Sequence, residues 1–396
     1  MRKSLIASLS ALLTVGAISL PLLAGCTTTA PRTGPAIGKQ LAELKGSDTV
    51  VSDEFGTSVA VSGTTAVVGT SGSSYAGRAY VFTKTASGWK QAAELKGSDT
   101  EPGDSFGSSV AISGTTVVVG AYRHAKDAGR AYVFTKAASG WEQAAELKGS
   151  DTVTDNLFGW SVAVSGTIAV VGAAGYANYE GRAYVFTKTA SGWKQAAELK
   201  GSGNITKDGF GTSVAVSGTT AVVSAEGHAN GAGAAYVFSR TATGWDQVAE
   251  LKGSHTVAGD NFGSSVALSG TTAAVSAYGQ ANFAGGAYVF SETAGVWKQA
   301  AELKGSDTTE GDYFGISAAI SDTTVVVGAY DHANLAGRAY VFTKTAGVWK
   351  QAAELKGSGV VADDNFGISV AVSGTAAVVG AYGEGTHAGR AFVFRV

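Results

Sequence analysis

Hydrophobic and polar positions recur along the chain with a long period. A Phe-Gly pair occurs at residues 55, 106, 158, 210, 262, 314 and 366, so the spacing is 51 residues once and 52 residues five times. In the second copy, four apolar segments follow one another, at residues 107–113, 115–121, 130–136 and 141–149. Short apolar segments bounded by Ser, Gly and Thr predict β-strands, four in each repeat.

Side-chain size increases along each repeat. The first segment contains Ser, Ala, Val and Gly, the third carries Tyr132 and Phe134, and the fourth begins with Trp141. Four-stranded units of about 50 residues are typical of propeller blades, in which small side chains suit the crowded axis. The pattern predicts an all-β, seven-bladed β-propeller. A β-solenoid is the competing architecture, but its coils are shorter, at about 20–30 residues.

The phase of the repeat predicts how the ring closes. Residues 38–46 copy the fourth strand, whereas the chain ends at residues 390–396 with a copy of the third strand. The N-terminal strand is therefore expected to complete the last blade, which removes two open sheet edges. We predict one propeller over residues 39–396, with repeats that start near Phe55, Phe106, Phe158, Phe210, Phe262, Phe314 and Phe366.

The first 25 residues have the pattern of a secretory signal. Arg2 and Lys3 precede an apolar run that ends in Leu-Ala-Gly-Cys. This ending resembles a bacterial lipobox, which implies a signal peptide over residues 1–25 and lipidation of Cys26, the only cysteine. Residues 26–38 are then expected to form a tether. The alternative, an uncleaved membrane helix, is disfavoured by four Ser or Thr residues and a Pro within the run. The expected location is the outer membrane or cell surface of a bacterium.

Composition narrows the possible functions. The net charge is −2 and the apolar fraction is 45%, so the chain has enough apolar side chains for a core and has no basic stripe for nucleic acid. The sequence contains no Gly-x-Ser-x-Gly, His-Glu-x-x-His or phosphate-loop motif. We expect no enzymatic activity; the alternative is a propeller hydrolase or lyase.

The repeats resemble a known family. FGTSVAVSGTTAVVGT at residues 55–70 and its six copies are similar to FG-GAP repeats, the blades of integrin α-subunit propellers and their bacterial relatives. The resemblance covers residues 39–396 and implies a seven-bladed propeller with an extracellular binding or adhesion role. Integrin-type blades often carry an Asp/Asn-rich calcium loop, but here two-residue turns such as Ser-Gly-Thr-Thr occupy that place. We therefore predict neither calcium nor another cofactor.

Variation among the copies is concentrated in the loops between the second and third strands, which predicts a ligand site on that face. These loops carry aromatic side chains near polar groups, a combination that suits sugars or protein partners. The candidate ligand-binding residues are Tyr122, His124, Tyr176, His228, Tyr278, Tyr330, His332 and Tyr382. The alternative is that the tyrosines only pack between blades.

Two further sets of polar residues have structural interpretations. The loop histidines are expected to be solvated rather than bound to metal, because they lie in alternate blades. The position two residues before each Phe-Gly is expected to form an Asx turn rather than a cation site, because one copy is uncharged. Its residues are Asp53, Asp104, Asn156, Asp208, Asp260, Asp312 and Asp364.

Three functional hypotheses follow from the sequence. The first is a lipid-anchored, extracytoplasmic propeller that binds a surface protein or matrix partner through its variable loops. The second is a lectin-like propeller with several equivalent glycan sites. The third is a propeller enzyme. Trp160 is the residue that departs most from the repeat pattern.

Overall fold

A computed structural model describes residues 36–72 and 76–396 of the chain. These residues form seven four-stranded antiparallel sheets, the blades of a β-propeller. The predicted signal peptide, Cys26 and most of the tether lie outside the described residues. The fold predicted from the repeats is confirmed.

The strands follow the repeat closely. β1 is Gln40–Leu44, and blade 1 contains β2 Ser58–Ser62, β3 Thr65–Thr70, β4 Arg78–Thr85 and β5 Gly88–Leu95. Blade 2 contains β6 Ser109–Ser113, β7 Thr116–Ala121, β8 Arg130–Ala137 and β9 Gly140–Leu147. Blade 3 contains β10 Phe158–Ser165, β11 Ile168–Ala173, β12 Arg182–Thr189 and β13 Gly192–Leu199. Blade 4 contains β14 Phe210–Ser217, β15 Thr220–Ala225, β16 Ala234–Arg240 and β17 Trp245–Leu251.

The remaining blades have the same order. Blade 5 contains β18 Phe262–Ser269, β19 Thr272–Ala277, β20 Gly286–Thr293 and β21 Val296–Leu303. Blade 6 contains β22 Ser317–Ser321, β23 Thr324–Ala329, β24 Arg338–Thr345 and β25 Val348–Leu355. Blade 7 contains β26 Val370–Ser373, β27 Ala376–Ala381 and β28 Arg390–Arg395. Six short turns lie between second and third strands: α1 His124–Asp127, α2 Tyr176–Tyr179, α3 His228–Gly231, α4 Gln280–Phe283, α5 His332–Leu335 and α6 Glu384–His387.

Blade 7 is completed by the N-terminal strand. Its strand order is β1-β28-β27-β26, and β1 pairs antiparallel with β28 from Gln40 opposite Phe394 to Leu44 opposite Ala391. The predicted closure of the ring is therefore confirmed. It leaves the backbone groups of β28 paired on both sides.

The Phe-Gly pair joins successive blades. Phe158 is fully buried, and it packs with Val118 and Val133 of blade 2 as well as with Tyr184 of its own blade. Its backbone forms a parallel bridge to Gly129 of blade 2. The following glycine, at φ +91°, has no room for a side chain, because a Cβ there would lie 2.2 Å from the Arg130 carbonyl oxygen. The repeated motif is thus part of the scaffold.

Hydrogen bonds of polar side chains also connect neighbouring blades. The N–H of Gly114 donates to Ser62 Oγ of the preceding blade at 3.1 Å, and all seven blade junctions have this bond. At the outer edge, Gln91 accepts from the N–H of Ser47 at 2.9 Å and donates to its Oγ at 3.0 Å. Gln40 and Ser358 repeat this pair across the ring closure. These bonds account for the nearly constant Ser-Gly turns and Leu-Lys-Gly-Ser segments.

Candidate functional site

The two faces of the propeller differ. The turns between strands one and two, and between strands three and four, lie on one face, which we call the turn face. The other connections lie on the opposite face, which we call the loop face. On the loop face, the short turns α1–α6 place the residues that vary most among the copies.

These short turns are left-handed. In α2, Ala177 has φ 48° and ψ 53°, Asn178 has φ 58° and ψ 48°, and Tyr179 has φ 64°. Residues other than glycine avoid this region at a cost of about 1–2 kcal/mol each. The carbonyl of the third residue accepts a hydrogen bond from the next blade, as Tyr179 does from the N–H of Gly209 at 2.7 Å. Contacts between blades therefore hold a strained turn and project its third side chain from the loop face.

One aromatic group lies at blades 2 and 3. The rings of Tyr122 and Trp160 meet edge to face, with their centroids 4.8 Å apart. Trp160 is 40% exposed and Tyr179 is 56% exposed. Both line a cleft of about 860 Å³, which also contains Asp127 and Asp155. Trp160 also reaches the mouth of the central channel, where the serines of the inner strands converge.

A second aromatic group lies at blades 5 and 6. The ring of Phe283 stacks on that of Tyr313 at 4.9 Å, and Tyr278 stacks on both. Tyr330 lies 5.3 Å from Tyr313, again between ring centroids. Burial raises the pKa of Tyr278 and raises that of Tyr330 to about 12. In the next blade, Tyr382 stacks on His387 at 5.9 Å.

The candidate tyrosines therefore take part in packing and still reach the surface. Tyr122, Tyr278, Tyr330 and Tyr382 are all partly buried. Tyr122 and Tyr278 contact an aromatic residue of the next blade or its entry loop, whereas Tyr330 contacts Tyr313 in the entry loop of its own blade. Tyr176 lies under the guanidinium of Arg182, 4.6 Å from the ring centroid. Its hydrogen bond with Asp151 raises its pKa. Their role in ligand binding stays a prediction.

The expectation of solvated histidines is wrong. His124 Nδ1 lies 2.8 Å from a carboxylate oxygen of Asp104, and only 13% of its side chain is exposed. The same pairing joins His228 to Asp208 and His332 to Asp312. The Phe-Gly aspartates and the loop histidines, which lie 20 residues apart in sequence, thus form one structural pair in three blades.

The aspartates before the Phe-Gly pairs act as local hydrogen-bond acceptors. Asp260 accepts from the N–H of Val257 at 2.8 Å, and Asn156 accepts from that of Val153 at 2.9 Å. All seven copies accept from the residue three positions earlier. The predicted Asx turn is wrong, because the side chain accepts from an N–H three residues earlier and not from a later one. An amide oxygen can accept the same hydrogen bond as a carboxylate, which explains how the uncharged copy keeps it.

Glu226 is the one acidic side chain at the position that is tyrosine in four blades. It lines a smaller cleft of about 260 Å³ with Trp160 and Tyr179. Burial raises its pKa to about 7. The sequence shows glutamate at a position that is tyrosine in other blades, whereas the burial of the Glu226 carboxyl group depends on the neighbouring blades.

Several exposed residues of the loop face were not among the sequence candidates. Tyr179 and Phe283 end their left-handed turns. Five aliphatic residues occupy the position whose N–H donates to the Asp or Asn before Phe-Gly: Val50, Val153, Ile205, Val257 and Val361. Comparison of the seven copies could have found them, because apolar residues recur there inside otherwise polar loops.

No helix in residues 36–72 and 76–396 is long and apolar enough to span a membrane. Within the same ranges, no group of three or more His, Cys, Asp or Glu side chains is placed to hold a metal ion.

Comparison with known proteins agrees with the repeat. A family model described as FG-GAP repeat matches seven times, at residues 39–82, 89–134, 141–186, 193–238, 245–290, 297–342 and 349–394. Each match runs from an outer strand to the third strand of the next blade, so the first match crosses the ring closure. No curated protein matches the chain.

Proposed function

Because the chain belongs to the FG-GAP repeat family, we propose that it is a non-enzymatic binding propeller whose loop face engages a protein partner. The fold supports a binding role, since propellers carry ligand sites on loops held by a rigid scaffold. The partner is proposed to be a surface or matrix protein.

The distribution of exposed apolar side chains carries this proposal. Among the described residues, nine of the fourteen large exposed apolar side chains lie on the loop face: Val50, Val51, Val153, Trp160, Tyr179, Ile205, Val257, Phe283 and Val361. Exposed aliphatic and aromatic side chains gathered on one face are typical of protein interfaces. On the turn face, the turns between strands one and two bond to the neighbouring blade. Polar side chains of the turns between strands three and four, such as Thr85 and Thr189, bond within their own turn.

The described chain begins beside the turn face. The N–H of Gly38 donates to the carbonyl of Arg395 at 2.8 Å. Arg395 ends β28 at the turn face. Export and anchoring at a bacterial outer membrane or cell surface belong to the proposal.

The lectin hypothesis predicts equivalent sites in several blades. The loop position that holds Tyr122 holds Ala174 and Glu226 in the next two blades, so the surroundings differ from blade to blade. This asymmetry favours one broad contact surface over repeated sites. An enzyme would need a specific catalytic group, and Glu226 alone does not supply one.

A comparison of two triple variants tests the proposal. Val153, Val257 and Val361 on the loop face are changed together to Ser; the control changes Val248, Val296 and Val348, which are also exposed but lie elsewhere. The full chain and both variants are used to capture cell-surface proteins, and recovered proteins are identified by mass spectrometry. We expect a defined partner to be captured by the wild type and the control and lost from the loop-face variant. Equal capture by all three proteins, or capture of no protein, would contradict the proposal.

A further inference from the structure

We propose that the cleft beside Trp160, between blades 2 and 3, binds a neutral saccharide. This goes beyond the proposed protein contact, because it assigns a small-molecule ligand to one cleft of the loop face. The cleft shares Val153, Trp160 and Tyr179 with the exposed apolar side chains of that face.

The cleft is about 860 Å³, which is large enough for a short oligosaccharide. We call Tyr122 and Trp160 the aromatic wall of the cleft, and Asp127, Asp155 and Asn178 its polar rim. The wall suits the C–H groups of a sugar ring, and the rim suits its hydroxyl groups.

The aromatic wall is fixed in place. Tyr122 meets Trp160 edge to face at 4.8 Å, and Arg123 holds Tyr122 through an Nε–H donated to the phenol oxygen at 3.2 Å. The indole is thereby oriented while 40% of the side chain stays exposed. An ordered, exposed indole offers an apolar face to the C–H groups of a pyranose ring and loses little conformational entropy on binding.

The polar rim is free to bind hydroxyl groups. Asp127, Asp155 and Asn178 line the cleft, and their side chains make no hydrogen bond or ion pair within the described ranges. Two carboxylates supply acceptors, and the amide supplies both a donor and an acceptor. Neighbouring hydroxyls of a sugar can both donate to a carboxylate and accept from an amide. The two carboxylates would repel an acidic sugar, which is why the proposed ligand is neutral.

The site is specific to these two blades. The position of Trp160 is occupied in the other blades by small or aliphatic residues: Thr57, Ser108, Thr212, Ser264, Ile316 and Ile368. The rim also depends on two blades, because Asp127 belongs to blade 2 whereas Asn178 belongs to blade 3. The structure therefore assigns one site per chain rather than seven.

Titration with soluble neutral oligosaccharides tests the inference. The probes are cellotetraose, chitotetraose, maltotetraose and mannotetraose, and binding to the full-length chain in mild detergent is measured by isothermal titration calorimetry. We expect one of these probes to bind with one site per chain. Trp160→Ser should weaken binding by at least about tenfold, because the stacking surface is lost. The fold should accept this change, since two other blades carry Ser at the equivalent position.

Two further variants separate the site from general effects. Asp155→Asn keeps the shape of the rim but removes a charged acceptor, so it should weaken binding as well. Phe283→Ser is the matched control, because Phe283 is 41% exposed on the same face but lies in the other aromatic group. It should leave saccharide affinity unchanged.

Three results would overturn the inference: binding of none of the four probes, equal affinity of the Trp160→Ser and wild-type chains, or a stoichiometry near seven. None of these results bears on protein capture by the wild-type chain. Because Val153 lines this cleft, the loop-face valine variant is titrated with the same saccharides. Conversely, failure of the wild-type chain to capture any protein, with saccharide binding intact, would remove the proposed function and leave this site in place.

Discussion

At the scale of single residues, the loop face departs from the repeat at a few positions, and Glu226 is the clearest of them. It occupies a place that holds tyrosine in four blades, and its carboxyl group lies in a cleft with Trp160 and Tyr179. Lys207 and Asp208 line the same cleft, and Tyr278 lies near enough for its own pKa to be raised by the glutamate charge. Burial raises the pKa of Glu226 from 4.5 to about 7.

This pKa predicts how stability changes with pH. The folded chain holds the proton of Glu226 more tightly than the unfolded chain does, so the group destabilises the fold increasingly as pH rises from about 4.5 to about 7. Above that range the penalty is constant, at most about 3 kcal/mol. Glu226→Gln should therefore raise the melting temperature at pH 8, and the difference should shrink towards pH 5.

Thermal denaturation between pH 5 and pH 8 measures this effect. Glu310→Gln is the control, because Glu310 is exposed on the same face. Its difference from the wild type should not follow the same pH dependence. A Glu226→Gln variant whose difference from the wild type stays constant over this range would show that the carboxyl group is not perturbed.

At the scale of elements, the left-handed turns explain how variable residues are presented by a uniform scaffold. Asp127, Tyr179, Phe283 and Leu335 occupy the same place at the end of their turns, and their carbonyls are bound by the next blade. The turn geometry is therefore set by backbone contacts, and the side chain is free to vary. Asn is common within these turns because it tolerates positive φ better than most residues.

The alanine that starts the left-handed segment in five of the six turns predicts a stabilising substitution. Ala333 has φ 55° and ψ 52°. Glycine has no steric penalty there, so Ala333→Gly should stabilise the protein by about 0.5–1 kcal/mol after its larger unfolded-state entropy is included. Ala329→Gly, in the buried strand β23, is the control and should be destabilising by about 1 kcal/mol. Chemical denaturation measures both variants, and destabilisation by Ala333→Gly would contradict the left-handed geometry.

At the scale of the whole molecule, the ring is held by bonds that repeat at every junction. A backbone N–H of each turn donates to a serine of the preceding blade at all seven junctions; the donor is glycine at six of them and Asp322 at the seventh. The bond between Ser373 and Gly63 crosses the closure. β1 supplies the outer strand of blade 7, and Gln40 bonds to Ser358 of the loop that follows blade 6. The N-terminal strand is therefore needed for both the last blade and the junction beside it.

Deletion of residues 39–46 should consequently destabilise the entire propeller. The deletion exposes the edge of β28 and removes the hydrogen bonds between Gln40 and Ser358. We therefore expect a melting temperature lower by many degrees, or aggregation through the open sheet edge. Deletion of residues 27–34, which has the same length and precedes the described residues, is the control. Calorimetry and light scattering measure the two outcomes. An unchanged melting curve after deletion of residues 39–46 would contradict the closed-ring interpretation.

The repeat, the four strands of each blade and the ring closure could all be predicted from the sequence. These features depend on local patterns and on the phase of the copies, and both can be read without knowing any contact. The Phe-Gly pair marks the period in the sequence, but its role between blades depends on contacts: Phe55 is fully buried, and Gly56 has no room for a side chain.

The side-chain pairs, the cleft and the burial found on the loop face depend on tertiary structure and could not be predicted from the sequence. His124 and Asp104 lie 20 residues apart, and only the folded blade brings them together. The cleft beside Trp160 combines residues of two blades, and the burial that perturbs Glu226 comes from its neighbours. Strand patterns are local, whereas a site between blades depends on distances across the ring, which a one-dimensional repeat does not specify.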